Sequence, residues 1–156
     1  MTGVDVSGDM IHKAIELNNG NSARFLKGDI RHLPLVDNQF DAVMAINSLE
    51  WTDSPLEILL EIKRLVKPKG KACVGILGPT AGPRENSYRR LYHEAVVCNT
   101  VMPWEFARLA SENDWKILDE YWVYKKDSEQ LPKGSISVVT KEALSFMTVF
   151  MLENHK

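Results

Sequence analysis

The chain has little cysteine, no excess of positive charge and no long apolar run. Its two cysteines, Cys73 and Cys98, are too few for a disulfide framework and form no CxxC pair, which predicts a reduced, cytoplasmic location. Lys and Arg number 19 against 21 Asp and Glu, and this balance argues against a nucleic-acid partner. No run of about 18 apolar residues is present, so no membrane span is expected. The four histidines form no HExxH or paired spacing, so no metal site is expected.

The composition is that of a chain that folds around a core. Apolar residues make up 44% of the 156 residues and charged residues 26%. This length suits one domain of ordinary size. Repeats, low-complexity tracts and linkers are absent, which predicts a single domain over residues 1–156.

Short apolar or β-branched runs alternate with amphipathic segments of about a dozen residues. Strands are predicted over residues 2–6, 23–27, 40–47, 71–77, 115–125 and 145–152, and helices over 10–17, 55–66 and 102–113. This alternation favours an α/β fold, with a mostly parallel sheet and helices on both faces. The run at 40–47 is nearly all apolar, which indicates a strand buried on both faces.

Acidic residues follow the first two predicted strands, where ligands of such sheets bind. Asp5 has the chemistry to accept two hydrogen bonds from ribose hydroxyls, and Asp29 to accept one from the exocyclic amine of adenine. Between them, Val6 and Met10 offer apolar surface for a purine. The alternative for each acid is a helix-capping role. The two acids together favour nucleoside binding.

Several motifs, in this order, resemble the class I S-adenosylmethionine-dependent methyltransferases, in the small-molecule group called methyltransferase type 11. They are GVDVSGDMIHKA from Gly3, a GD-x-x-x-LP segment from Gly28, the FDAV strand from Phe40 and the KPKG turn from Lys67. The similarity ends near Leu77, about halfway along the chain. The remainder, residues 78–156, corresponds to the variable substrate region and closing strands of that family.

The resemblance implies a Rossmann-like fold, S-adenosylmethionine as cofactor and a set of cofactor-binding residues. In that set Asp5 holds the ribose, Val6 and Met10 flank the adenine, Asp29 and Ile30 contact its edge, and Asn47 lies near the methionine end.

One part of the family pattern is missing. The family begins with a strand and a glycine-rich turn of E-x-G-x-G-x-G type, whereas the early glycines here are Gly3 and Gly8. The resemblance therefore implies an N-terminally truncated methyltransferase that lacks its first, central strand. Because two strands would then lack a neighbour, we expect reduced or no activity alone. Pairing with an upstream segment or a second copy of the chain, as a homo-oligomer, would complete the sheet.

Candidate acceptor-binding residues lie after the third strand and in the second half. Trp51 is placed to cover the site or to pack at its rim, while Arg84 and Tyr88 are placed to clamp an acidic substrate or to form a solvated helix face. Glu50 is a candidate general base, with a surface carboxylate as the alternative. Asn47 begins no Pro-Pro-aromatic signature of base or amide methylation, so a small-molecule acceptor is expected. The sequence identifies no catalytic residue.

Two other functions fit the same pattern. One is a non-catalytic remnant or interaction module that another chain completes. The other is an NAD-binding oxidoreductase, because an acid after the second strand also suits that cofactor. The KPKG turn from Lys67 favours the methyltransferase.

Overall fold

The structure is a computed structural model that describes residues 1–155 apart from 21, 97, 100, 129–133 and 135. The chain divides into two compact units, Met1–Val36 and Asp37–Lys156. The single domain over residues 1–156 stays a prediction. In the described part of the chain, no helix combines the length and apolar character that a membrane span needs.

The first unit is a β-α-β arrangement. Its elements are β1 (Thr2–Asp5), α1 (Gly8–Leu17) and β2 (Arg24–Lys27). The two strands are parallel, so α1 supplies the crossover that parallel strands require. Ser7 caps α1, its Oγ accepting a hydrogen bond from the Met10 amide at 3.4 Å. After the helix, Gly20 has a φ of 80°, which is accessible to glycine without strain and turns the chain toward β2.

The second unit is built on a four-stranded sheet. Its strands are β3 (Phe40–Ile46), β4 (Val66–Leu77), β5 (Trp115–Tyr124) and β6 (Ser145–Asn154), and its helices are α2 (Pro55–Leu65), α3 (Pro103–Glu112) and α4 (Val138–Leu144). Short 3₁₀ segments lie at Leu49–Trp51, Gly82–Tyr92 and Lys126–Ser128. The strand order is β3-β4-β6-β5. β3 and β4 are parallel, whereas β6 is antiparallel to both of its neighbours.

Helices α2 and α3 supply the core beside this sheet. In α2, Ile58, Leu59 and Ile62 share the i, i+1, i+4 spacing of one helix face and are fully buried. In α3, Phe106 is fully buried and packs on Phe150 of β6, with ring centroids 5.1 Å apart. Burial of one such side chain contributes about 1.5–3 kcal/mol, so these contacts fix both helices on the sheet.

Most predicted elements are confirmed within a few residues, including the final strand. Two differences are found: β4 starts at Val66 and not at residue 71, and α4 was not expected. The sheet is less parallel than predicted, because the closing strands β5 and β6 form antiparallel ladders. The polar composition of residues 127–135 predicts a loop after β5, and most of these residues lie outside the described part of the chain.

The prediction that β3 is buried on both faces is wrong. Its side chains Ala42 and Met44 are exposed, Met44 by 75%. The physical reason is its position, since β3 is an edge strand with β4 as its one described neighbour. In the first unit, β1 pairs with β2 and with no other described strand. The absence of a central strand stays a prediction.

Candidate functional site

Asp5 and Asp29 lie at one end of the two-stranded sheet. The amide of Gly28 donates to the carbonyl oxygen of Asp5 at 3.0 Å, extending the ladder by one bond beyond β2. Asp29 is the next residue, so the two acids follow the carboxyl ends of neighbouring parallel strands. The carboxylate of Asp5 is oriented by the Ser7 amide, which donates to Oδ1 at 2.8 Å. The first unit therefore brings together the two acids that the sequence singled out.

Asp29 is held by a neighbour that sequence reasoning missed. Arg31 donates from Nε and Nη2 to Oδ2 of Asp29, at 3.0 and 2.7 Å, and its amide donates to Oδ1 at 2.9 Å. These hydrogen bonds lower the pKa of the Asp29 carboxyl to about 2. Asp29 is therefore ionised at neutral pH and acts only as an acceptor. The signal in the sequence was the arginine two residues after the acid.

The apolar candidates of the first unit are solvent-accessible. Val6 is 71% exposed and Met10 51% exposed, although both are apolar. Ile30 is half-buried beside Asp29. Such exposure leaves Val6 and Met10 available for a flat apolar ring.

In the second unit, the structure brings Asn47 and Trp51 together. Asn47 ends β3 in the left-handed region, with a φ of 52°, and its amide donates to the carbonyl of Gly75 at 3.1 Å. Its Oδ1 accepts a hydrogen bond from Nε1 of Trp51 at 3.3 Å. Trp51 is 37% exposed, so this bond orients a partly exposed indole at the carboxyl end of β3.

The expectation of a surface carboxylate at Glu50 is wrong. Glu50 is 0% exposed, and its Oε1 accepts a hydrogen bond from the Leu77 amide at 2.5 Å. Among the described residues Oε2 has no hydrogen-bond partner. Burial raises the pKa of the Glu50 carboxyl, and the charge of Arg84 opposes that shift.

Arg84 is committed to backbone carbonyls and does not lie on a solvated face. Its Nη2 donates to the carbonyls of Leu77 and Val101, at 2.5 and 2.7 Å. Its Nε donates to the Gly78 carbonyl at 2.8 Å. Nη1 is buried and has no partner among the described atoms. Four residues on, Tyr88 is 54% exposed, so the two predicted clamp residues differ in environment.

Comparison with known proteins shows similarity to methyltransferases. Residues 1–74 match the family model described as a methyltransferase domain. The demethylmenaquinone methyltransferase of Renibacterium salmoninarum is 39% identical over 71 residues, which are 45% of this chain and 28% of that protein. The demethylmenaquinone methyltransferase of Chlamydia pneumoniae is 30% identical over 136 residues, 85% of this chain and 54% of that protein. The chain thus spans about half or less of these relatives.

Solved structures show the same fold. A putative methyltransferase in complex with the Trm112 activator, from Haloferax volcanii, superposes with a TM-score of 0.73 at 18% identity, over 99% of this chain and 72% of that one. A putative S-adenosylmethionine-dependent methyltransferase from Listeria monocytogenes gives 0.73 at 14% identity, over 99% and 79%. The α/β methyltransferase fold therefore extends through both halves of the sequence.

Proposed function

We propose that the chain is a class I S-adenosylmethionine-dependent methyltransferase and that its first unit binds the adenosine of the cofactor. The supporting observation is the bond from the Gly28 amide to the Asp5 carbonyl, which sets Asp5 and Asp29 at one strand edge. Asp5 would accept from the ribose hydroxyls and Asp29, with Ile30, would contact the adenine edge. The exposed side chains of Val6 and Met10 fit the faces of the ring.

The second unit would carry the acceptor side of the reaction, with a small molecule as acceptor. Asn47 would lie near the methionine end of the cofactor, and Trp51, Arg84 and Tyr88 would form the acceptor region. Arg84 would act through the backbone that it holds, since its donors bind carbonyls. Trp51, hydrogen-bonded to Asn47, would cover the reacting groups.

The residues of this chain would contribute alignment to the reaction. The cofactor would supply a methyl group on a sulfonium sulfur, and the neutral thioether that remains after methyl transfer is a good leaving group. What remains for the protein is to align the nucleophile with the methyl carbon and to exclude water. Because the cofactor supplies the reactive group, the proposed site consists of residues that bind and orient, and no nucleophilic side chain is assigned to it.

Calorimetry with S-adenosylhomocysteine tests this proposal. We expect saturable binding, weakened at least about tenfold by Asp5→Asn or Asp29→Asn, because each change removes a charged acceptor. The matched control is Asp119→Asn, an exposed acid of β5 in the other unit, which should leave the affinity unchanged. No heat up to millimolar ligand would reject a working cofactor site.

A second candidate, a non-catalytic module completed by another chain, rests on the two one-sided strands. β1 and β3 each have one described ladder neighbour, and an unpaired strand edge is a template for another strand. Under this candidate the chain alone would have reduced or no activity, and it would pair with an upstream segment or with a second copy of itself. We also propose a cytoplasmic location, which would keep the free Cys73 and Cys98 reduced. Sedimentation equilibrium separates the two candidates, since a monodisperse monomer that binds S-adenosylhomocysteine would contradict the second.

A further inference from the structure

Strand β4 continues beyond the point where its parallel neighbour ends. The last ladder bond from β3 runs from the Asn47 amide to the Gly75 carbonyl, and the left-handed Asn47 then turns the chain away. In a ladder, alternate residues direct both backbone groups to the same neighbour. Leu77, two residues after Gly75, therefore directs its N–H and C=O toward the side that β3 has left. The Gly78 amide, in agreement, donates to Phe146 of β6 on the other side.

Beside Leu77, Glu50 and Arg84 occupy the place that β3 has left. Glu50 Oε1 accepts from the Leu77 amide, and Arg84 Nη2 donates to the Leu77 carbonyl, each at 2.5 Å. A carboxylate thus replaces a strand carbonyl, and a guanidinium replaces a strand amide. Because a buried backbone group without a partner costs free energy, the two side chains allow β4 to end inside the protein.

The same two residues attach a distant segment to this strand end. Arg84 Nη2 also donates to the Val101 carbonyl at 2.7 Å, and the Asn99 amide donates to the Glu50 carbonyl at 2.7 Å. The side chain of Asn99 adds a bond to the Leu49 carbonyl at 2.8 Å. Val101 is therefore held at the carboxyl end of β4 by the Arg84 side chain, and Asn99 by the backbone carbonyl of Glu50.

The side chains of Glu50 and Arg84 carry groups of opposite charge type in a buried environment. Glu50 is fully buried, and Arg84 is partly buried with its Nη1 atom inaccessible to solvent. Arg84 acts on the Glu50 carboxyl through its charge, which lowers the pKa that burial raises, and the two side chains meet through the backbone of Leu77. A neutral glutamine at position 50 would keep the carbonyl oxygen that accepts from Leu77, so charge and hydrogen bond are separable by mutation.

We infer that Glu50 and Arg84 are positioning residues for the acceptor side of this methyltransferase: as a pair they replace a strand at the end of β4 and hold Asn99 and Val101 there. The assignment of the acceptor side rests on the proposed function, because ligands of such folds bind beyond the carboxyl ends of the strands. The positioning itself rests on the hydrogen bonds to Leu77, Val101 and Asn99.

Amide hydrogen exchange of the whole chain tests the positioning. We expect Glu50→Ala and Arg84→Met to speed exchange at Leu77 at least about tenfold, and Arg84→Met to speed it also at Val101, while Phe150 of β6 keeps its protection. Glu50→Gln should retain most of the Leu77 protection. The controls are Glu57→Ala and Arg108→Met, both exposed on helices. Unchanged exchange at Leu77, or equal acceleration at Phe150, would overturn the assignment.

Calorimetry with S-adenosylhomocysteine tests the acceptor side. Glu50→Gln should bind this ligand within about twofold of the unmodified chain, because the proposed adenosine contacts lie in the first unit. A loss of about tenfold or more would place Glu50 on the cofactor side instead. If the unmodified chain binds no S-adenosylhomocysteine, the proposed function fails, while the exchange result at Leu77 still decides the positioning.

Discussion

Arg31 holds the carboxylate of Asp29 through its side chain and its own amide at once. The two residues are two positions apart, so the pair closes the turn that follows β2 and needs no other part of the fold. This local geometry fixes the charge of one proposed adenine contact before any ligand arrives. It also makes the titration of Asp29 a direct measure of the turn.

Arg31→Met should move the pKa of Asp29 from about 2 toward 3.8, because the side-chain hydrogen bonds that favour the ionised form are lost while the amide of residue 31 still donates. In the unmodified chain the pair stabilises the fold above the ordinary pKa of an aspartate, and this contribution is lost as pH falls toward 2. Carboxyl ¹³C NMR measures the titration. Lys67→Met, which removes the partner of Asp41, is the control and should leave Asp29 unchanged. A midpoint near 3.8 in the unmodified chain would contradict the pairing.

Glu50→Gln should change how stability depends on pH. The folded-state pKa of Glu50 is raised by burial, so its contribution is full below the ordinary value of 4.5 and is lost as pH rises through the raised value. The free energy of unfolding of the unmodified chain should therefore fall, relative to that of Glu50→Gln, as pH rises above 4.5. Urea unfolding at a series of pH values measures this difference. Parallel curves would show that Glu50 titrates normally and is not desolvated.

Gly78→Ala should lower the free energy of unfolding by at least about 1 kcal/mol. A Cβ at this position would lie 2.2 Å from the backbone carbonyl oxygen of Ser145, the first residue of β6, and that atom has no freedom to move aside. Gly82→Ala is the matched control, because a Cβ there meets no atom within 4 Å, and it should change stability by about 0.5 kcal/mol or less. Thermal or urea unfolding compares the two. Equal stabilities would mean that β4 and β6 are less close at Gly78 than the structure has them.

The elements that the sequence predicted well are those with local signals. Pro55 occupies the first position of α2, where proline is favoured. Gly20 follows α1 with a positive φ, a conformation that glycine adopts without strain. The start of β4 was missed because Lys67-Pro68-Lys69-Gly70 has the composition of a turn, whereas Val66 already pairs with Phe40 across a register shift.

The candidate site divides in the same way. The placement of Asp5 and Asp29 at one end of the sheet was predictable because each follows a strand and the two strands are parallel neighbours. The buried environment of Glu50 was not predictable from the sequence. It depends on the contact with Leu77, which lies beyond α2 at the far end of β4. The carbonyl partners of Arg84 were equally hidden, since backbone acceptors leave no mark in a sequence.

The strand order has a consequence for synthesis on the ribosome. β6 lies between β4 and β5, with Leu152 opposite Ala72, so two strands made earlier have no common neighbour until Ser145–Asn154 emerge from the exit tunnel. Pairing over such a separation is slow, because a long loop must close before the contacts repay it. During that interval the unpaired backbone groups along β4 are open to pairing with other nascent chains.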